Sequence, residues 1–198
     1  MKYTYRYRGN IFSGVPFGAI PMVKEWLNII GEVKKPEQEH PKRPVEGLNC
    51  KRKEVSGERF WHLIQSVSQV PENFLARCTV YNHCPLAYMG ITGKNITPVD
   101  MKAKERNEIL DICDEALLEI VKLLKVKVIV GIGRYAENRA KKILVENGIS
   151  EDVLVFFLSH PSPASASSNK VGWETIAREQ LVKNDLIKYM SPDDKKGS

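Results

Sequence analysis

Long hydrophobic runs are missing from this sequence. Its longest apolar stretches, near Val126–Ile132 and Val153–Leu158, are far shorter than the roughly 20 residues that a membrane-spanning helix needs. The N-terminal segment MKYTYRYRGN also lacks the apolar core of a signal peptide. We therefore expect an intracellular protein with no membrane partner.

Cysteine is scarce, with four residues in a chain of 198. None of them forms a CxxC pair, so the spacing of a common zinc site is absent. The dipeptide His83-Cys84 could bind a metal together with a distant partner, but reduced cysteines in or near the core are the favoured interpretation. We predict no metal site. The four cysteines are Cys50, Cys78, Cys84 and Cys113.

Acidic residues are outnumbered by basic ones. The chain has 30 Lys and Arg against 24 Asp and Glu, which gives a net charge of +6 and a pI of about 9.1. A basic balance suits a polyanionic partner such as nucleic acid, although many basic proteins bind none. Charge alone therefore leaves DNA or RNA as one open possibility.

The apolar pattern alternates between strands and helices. Residues 2–8 alternate tyrosines with polar residues, which predicts a strand with one apolar face. Val128–Val130 and Val153–Leu158 lack polar alternation, as expected for strands buried on both faces. This order predicts an α/β fold, a three-layer sandwich with a short, mainly parallel sheet between helices. Further predicted elements are a strand at Leu75–Asn82 and helices at Met22–Ile30, from a Ser56 cap, at Val99–Leu124, at Arg134–Asn147 and from Trp173.

Sites in such sheets lie beyond the carboxyl ends of the strands. One candidate there is GIGRYA, which fits the dinucleotide fingerprint G-x-G-x-x-A. The fingerprint also requires an acidic residue at the end of the next strand, whereas Glu151 and Asp152 precede that strand. A tight strand-to-helix turn is therefore favoured over nicotinamide binding.

A second candidate is His160, which follows an apolar strand and precedes a Pro-Ser-Pro segment that restricts the backbone. A lone histidine is most often structural, and a catalytic role is an equal alternative here. Asn82 is a third candidate at a predicted strand end. Asparagine often just makes a turn, but its amide also pairs a donor with an acceptor and can distinguish uracil from cytosine.

Several motifs together resemble the single-strand-selective monofunctional uracil DNA glycosylases, of the uracil DNA glycosylase superfamily. They occur in the order of that family across about residues 13–185, and their combination is highly specific although each alone is weak. The motifs are GVPFG at Gly14–Gly18, EHPKRPVEGL at Glu39–Leu48, SGERFW at Ser56–Trp61, YNHCPL at Tyr81–Leu86, GKNITP at Gly93–Pro98, VGIGRYAENRA at Val130–Ala140 and HPSP…NK…GW at His160–Trp173.

The resemblance implies the superfamily fold and hydrolysis of the bond between uracil and deoxyribose, without a metal or organic cofactor. It also implies activity on oxidised pyrimidines such as 5-hydroxymethyluracil, in single- or double-stranded DNA. Carried over residue by residue, His160 faces uracil O2 as the catalytic histidine, Asn82 reads the base edge and Phe17 stacks on the base. DNA-binding residues implied in the same way are Lys94, Asn95, Ser162 and Lys170, with Lys42 and Arg43 in a neighbouring motif.

The sequence departs from the family at two places. The arginine expected after HPSP is Ala164, in a loop that is one residue longer. The first family motif, GMNPGPFGM, is expected just before Gly14 and supplies a core strand and the asparagine that positions water. This chain has MKYTYRYRGNIFS there, and a strand containing Thr4 and Arg6 fits a sheet edge better than its centre.

These observations predict a nuclear, monomeric DNA glycosylase. The alternative is a catalytically impaired form that binds DNA without efficient excision, and we expect low stability and slow or undetectable uracil release from the chain as written. The predicted organisation is a divergent segment at residues 1–12, a glycosylase domain at 13–190 and a disordered tail at 191–198.

Overall fold

The computed structural model describes residues 4–7, 15–35, 37, 39–96, 100–163 and 172–192. The chain divides into two compact units. The first unit contains Met1–Ile11, Lys34–Val45 and Asn82–Leu158, and the second contains Phe12–Val33, Glu46–Tyr81 and Ser159–Ser198. The domain bounds expected from the sequence stay a prediction.

The first unit carries the described strands. Strands β1 (Thr4–Tyr7), β2 (Leu86–Met89) and β3 (Asn95–Ile96) form an antiparallel sheet in the order β1-β2-β3. Strands β4 (Val128–Ile132) and β5 (Leu154–Leu158) pair in parallel, in register from Val128 with Leu154 to Ile132 with Leu158. The strand expected in residues 2–8 is confirmed at Thr4–Tyr7, at an edge of the sheet among the described strands, while Lys2, Tyr3 and Arg8 lie outside the described residues.

Two helices complete the first unit. Helix α3 (Ala103–Leu123) precedes β4, and helix α4 (Arg134–Glu146) connects β4 to β5. Their apolar residues pack with the strands because a β-α-β crossover places the helix against the sheet. Buried Val121, Leu144 and Val153 form this core, with partly buried Leu117, Val126, Ile129, Ile149 and Val155 against them.

The second unit is helical in the described residues. It contains a π-helical turn at Met22–Trp26, helices α1 (Val55–Ser68), α2 (Pro71–Leu75) and α5 (Trp173–Lys183), and 3₁₀ turns at Gly47–Asn49 and Ile187–Tyr189. Aromatic rings connect these elements through Trp61, whose ring lies 5.9 Å from Trp26, 4.9 Å from Phe60 and 6.1 Å from Phe74. Tilted and edge-on ring pairs of this kind stabilise a core beyond simple area burial.

The α/β class is confirmed, and three local predictions are wrong. Leu75–Asn82 is not a strand: Leu75 ends helix α2, which Pro71 starts at the first helical position, and the chain then continues irregularly to Asn82. The helix expected at Met22–Ile30 stops at Trp26, after which Asn28 adopts a positive φ of 51°. Ser56 does not cap α1, which already begins at Val55.

The other predicted elements start and end within a few residues of their predicted bounds, whereas the sequence pattern does not predict α2, β2 or β3. Val99 and the tail from residue 193 lie outside the described residues. Among the described residues, no helix combines the length and apolar character needed to cross a membrane.

Candidate active-site residues

His160 projects from a backbone that is fixed on both sides. The preceding Ser159 is buried, its N–H donates to Oε1 of Gln180 at 2.9 Å, and its carbonyl accepts from Nε1 of Trp173 at 2.8 Å. The following Pro161 is fully buried. His160 itself is exposed, so a rigid backbone presents a solvent-accessible imidazole.

The ring of His160 has one nitrogen committed to the backbone. The N–H of Ser162 donates to Nδ1 at 3.1 Å, and an accepting Nδ1 leaves the proton of a neutral imidazole on Nε2. Although the residue is exposed, partial burial of the ring lowers its pKa, against a smaller raising effect of Glu54. The neutral ring is therefore favoured near pH 7, with Nε2–H as a hydrogen-bond donor.

Phe17 lies beside this histidine. Its ring stacks on Phe60 at a centroid distance of 4.7 Å and an angle of 25°, and its centroid lies 6.1 Å from that of His160. The backbone of Phe17 has a positive φ of 52°, which is uncommon for a residue with a bulky side chain. The structure thus brings together two of the predicted site residues, Phe17 and His160.

Helix α1 holds Phe17 in its unusual conformation. Gly57 has no side chain, and a Cβ there would lie 2.8 Å from the carbonyl carbon of Phe17. Trp61 Nε1 donates to the carbonyl of Pro16 at 3.2 Å, and Arg59 Nη1 donates to the carbonyl of Pro161 at 3.2 Å. The motif SGERFW therefore anchors both the segment of Phe17 and the segment of His160.

Of the DNA-binding residues predicted in the second unit, the structure describes Ser162 but not Lys170. Ser162 is half-buried and contributes the backbone N–H that binds His160. Lys170 and Ala164 lie outside the described residues. The role of Ser162 in binding DNA stays a prediction.

Asn82 belongs to the first unit and is half-buried in the irregular segment before β2. The next residue, His83, is held by a network that the sequence did not reveal. Its Nε2 lies 2.8 Å from Oδ1 of Asp114 on α3, and its Nδ1 lies 3.3 Å from the hydroxyl of Tyr135 on α4. Arg139 on α4 binds both carboxylate oxygens of Asp114, at 2.7 and 2.6 Å.

This network is largely buried. The side chains of His83, Asp114 and Arg139 are 10%, 15% and 16% exposed. Burial lowers the pKa of His83, against the raising effect of Asp114, and burial raises the pKa of Tyr135. A neutral His83 donates from Nε2 to Asp114 and accepts at Nδ1 from Tyr135, which satisfies both ring nitrogens.

The dipeptide His83-Cys84 is thus engaged with protein groups. Cys84 interacts with Cys113, and burial is the main reason that the pKa of Cys113 is raised to about 12. Within the part of the chain that the structure describes, no group of three or more His, Cys, Asp or Glu residues is placed to hold a metal ion.

Lys94 and Asn95 lie at a tight turn between β2 and β3. The N–H of Gly90 donates to the carbonyl of Lys94 at 2.9 Å, and both Lys94 and Asn95 are exposed. Arg43 Nε donates to the carbonyl of Gly93 at 3.1 Å, and a Cβ at Gly93 would lie 3.2 Å from Cβ of Lys42. The structure therefore gathers Lys42, Arg43 and Lys94 around one turn.

The glycines of GIGRYA serve the packing of α4. Gly133 has a φ of 90° and precedes the helix, and a Cβ at Gly131 would lie 2.9 Å from Cβ of Glu137. The buried Glu137 carboxylate binds Arg134 and Lys141, each at 2.7 Å. These contacts favour the strand-to-helix turn over the dinucleotide interpretation.

Comparison with known proteins shows the family of the chain. The family model of the uracil DNA glycosylase superfamily matches residues 6–186. The chain belongs to the uracil DNA glycosylase superfamily. It is 47% identical over 181 residues to a rat protein named single-strand selective monofunctional uracil-DNA glycosylase. The aligned region covers 91% of this chain and 64% of the rat protein.

Proteins of the same name from mouse and cattle are also similar to this superfamily member. The mouse protein is 46% identical over 181 residues, covering 91% of this chain and 64% of its own length. The bovine protein is 45% identical over 179 residues, covering 90% and 65%. The chain therefore spans slightly less than two thirds of the length of these relatives.

Proposed function

We propose that this protein is a DNA glycosylase that hydrolyses the bond between uracil and deoxyribose and leaves an abasic site. Membership of the uracil DNA glycosylase superfamily and the names of the similar proteins support this activity. The observation that carries it is the presentation of His160, whose Nε2–H remains a donor beside the ring of Phe17.

The reaction needs a donor of this kind. When the glycosidic bond breaks, its electron pair moves to the base and negative charge grows on uracil O2, while the sugar becomes positive. Water then adds its hydroxyl to the sugar carbon, and its remaining proton leaves the site or joins the base. A preorganised neutral donor aimed at the growing charge accelerates such a step by about 10²–10³.

A neutral histidine fits this site better than a charged one, because a charged ring would place a second proton on Nδ1, opposite the N–H of Ser162. Burial lowers the pKa of His160, so the ring is neutral near pH 7 and donates through Nε2. The fixed backbone of Ser159 and Pro161 keeps the ring in place, which avoids reorganisation as the bond breaks.

Phe17 and Asn82 supply recognition in this proposal. The ring of Phe17, supported by Phe60, stacks on the face of the base. The amide of Asn82 donates to uracil O4 and accepts from N3–H, whereas cytosine presents the reverse pattern. Mispaired polar groups cost about 1–3 kcal/mol when buried, so cytosine is rejected.

The substrate range follows from the same contacts. A substituent at C5, as in 5-hydroxymethyluracil, leaves the O4 and N3 edge unchanged, so we extend the proposal to oxidised pyrimidines in single- and double-stranded DNA. Flipping a base out of a duplex costs a few kcal/mol, so single strands are favoured. We also propose that the protein acts as a monomer in the nucleus, where this substrate is found.

The deciding experiment measures excision from an oligonucleotide with one uracil, at enzyme excess. It compares the protein with an extended version that carries GMNPGPFGM before Gly14, and the extended version with its own His160→Leu variant. We expect slow or undetectable excision by the protein, faster excision by the extended version and at least about 100-fold slower excision when the extended version carries His160→Leu. DNA binding without uracil excision by both the protein and the extended version would overturn the proposal.

A further inference from the structure

The residue after Asn82 is held by side-chain contacts to two helices. His83 has partners at both ring nitrogens, Asp114 at 2.8 Å and Tyr135 at 3.3 Å, and its ring meets that of Tyr135 edge-on at 5.9 Å. These partners come from two different helices, α3 and α4. An irregular segment is thereby fastened to the most regular part of its unit.

The carboxylate of Asp114 is itself fixed. Arg139 binds it through two hydrogen bonds from Nε and Nη2. Bidentate pairs of arginine and carboxylate are directional as well as strong, so Asp114 presents its Oδ1 to His83 in one orientation. The chain of contacts from Arg139 to His83 is a rigid brace, not a flexible surface pair.

The brace stands next to the residue that needs precise placement. Asn82 and His83 are joined by one peptide unit, and β2 begins at Leu86, where pairing with β1 fixes the chain again. An amide that reads a base edge must be held in one orientation, because its donor and acceptor are interchanged by a half-turn. Misplacement by about 1 Å can cost 10²-fold in rate.

We propose that His83 is a positioning residue that fixes the base-reading amide of Asn82 through its anchorage to Asp114 and Tyr135. The inference rests on the proposed function of Asn82. Its structural part, that His83 orders the segment of Asn82, stands independently of catalysis and can be measured separately.

The test compares four variants of the full chain with a fifth that serves as the control. His83→Ala removes the anchor, and His83→Gln keeps a side-chain N–H that can reach Asp114 in the place of Nε2. Asn82→Ala is studied alone and combined with His83→Ala. Lys141→Ala is the control, because it removes an ion pair with Glu137 on the same helix α4 and leaves the partners of His83 in place.

The first readout is the NMR order of the Asn82 side-chain amide, which does not depend on activity. We expect the amide to lose its single sharp environment in His83→Ala and to keep it in His83→Gln and Lys141→Ala. An unchanged Asn82 amide in His83→Ala overturns the inference, whether or not the protein excises uracil.

The second readout is the single-turnover rate of uracil excision. We expect His83→Ala to slow it by about 10- to 100-fold, His83→Gln to restore most of that loss, and the double variant to be no slower than Asn82→Ala. Multiplying losses in the double variant would show that His83 acts independently of Asn82 and would overturn the inference. Absence of uracil excision from both the parent protein and its extended version refutes the proposed function, and the NMR result still decides whether His83 positions Asn82.

Discussion

The two histidines His160 and His83 are both favoured in the neutral form, yet their surroundings differ. His160 is exposed, and its one described hydrogen bond comes from the N–H of Ser162. His83 is half-buried, and its ring nitrogens lie within hydrogen-bond distance of Asp114 and Tyr135. A ring with one nitrogen fixed and the other turned outward can donate to a ligand, whereas a ring fixed at both nitrogens can only support its neighbours.

The sharpest test of this difference replaces His160. His160→Leu keeps the size of the side chain and removes the donor, so we expect uracil excision to fall by about 10²- to 10³-fold with little change in DNA affinity. Single-turnover cleavage and a binding titration measure the two effects. His62→Leu, at an exposed position on α1, is the control, and a loss below about threefold would make His160 structural.

Asn82 tests the region of the other histidine. Asn82→Asp replaces the amide donor with an acceptor, so we expect uracil excision to fall by about 10- to 100-fold, since a mispaired buried polar group costs about 1–3 kcal/mol. The same assay is run on uracil and cytosine substrates. Asn107→Asp, at an exposed position of α3, is the control. Unchanged uracil excision would remove Asn82 from the site.

Gly57 tests how the region of His160 is supported. A methyl group at Gly57 would clash with the carbonyl of Phe17, so Gly57→Ala forces helix α1 and the segment of Phe17 apart. We expect the free energy of unfolding to fall by about 1–3 kcal/mol and denaturant titration to show it. Gly90→Ala is the control because a Cβ there has ordinary contacts, the nearest at 3.8 Å. Equal stability of the two variants would show that the close approach does not matter.

Acid should weaken both regions. Burial lowers the pKa of His83 and of His160 in the folded protein, while the unfolded chain keeps the usual value of about 6.5. The stabilising contribution is therefore complete above about pH 6.5 and is lost as the pH falls through the folded-state values. We expect His83→Gln and His160→Leu each to flatten the pH dependence of unfolding between pH 7.5 and 5. A slope equal to that of the parent in both variants would contradict the shifts.

The smallest effect concerns the basic turn. If Lys94 contacts a DNA phosphate, Lys94→Ala should reduce the slope of the logarithm of the binding constant against the logarithm of salt by about one. Binding titrations at several salt concentrations measure it. Lys183→Ala, an exposed lysine of α5 in the second unit, should leave the slope unchanged, and equal slopes in the two variants would remove Lys94 from the interface.

The sequence predicts the longer helices and the parallel strands well, but it predicts neither β2 and β3 nor the network around His83. Strands β4 and β5 are recognisable because buried parallel strands carry uninterrupted apolar residues. Asp114 and Arg139 instead have the appearance of ordinary charges on exposed helix faces. Only the tertiary fold brings them to His83, whose neighbour Cys84 suggested a metal.

The strand expected at Leu75–Asn82 shows a second limit. Apolar content favours a strand there, but Pro71 starts a helix that takes in Leu75, and the residues from 76 to 82 are irregular in the structure. Phe17 and His160, by contrast, were identified by family motifs, and their proximity required the fold. Motif resemblance therefore located the residues, and packing supplied their geometry.

The hydrogen bond from Ser162 to His160 has a consequence for inherited variation. Its donor is a backbone N–H, which every amino acid except proline possesses. Missense changes at position 162 can therefore alter the hydroxyl without erasing the proton pattern of the imidazole. The brace of His83 depends on side chains instead, so a single codon change at Asp114 or Arg139 deletes part of it. Mutational robustness is thus distributed unequally between the two histidines.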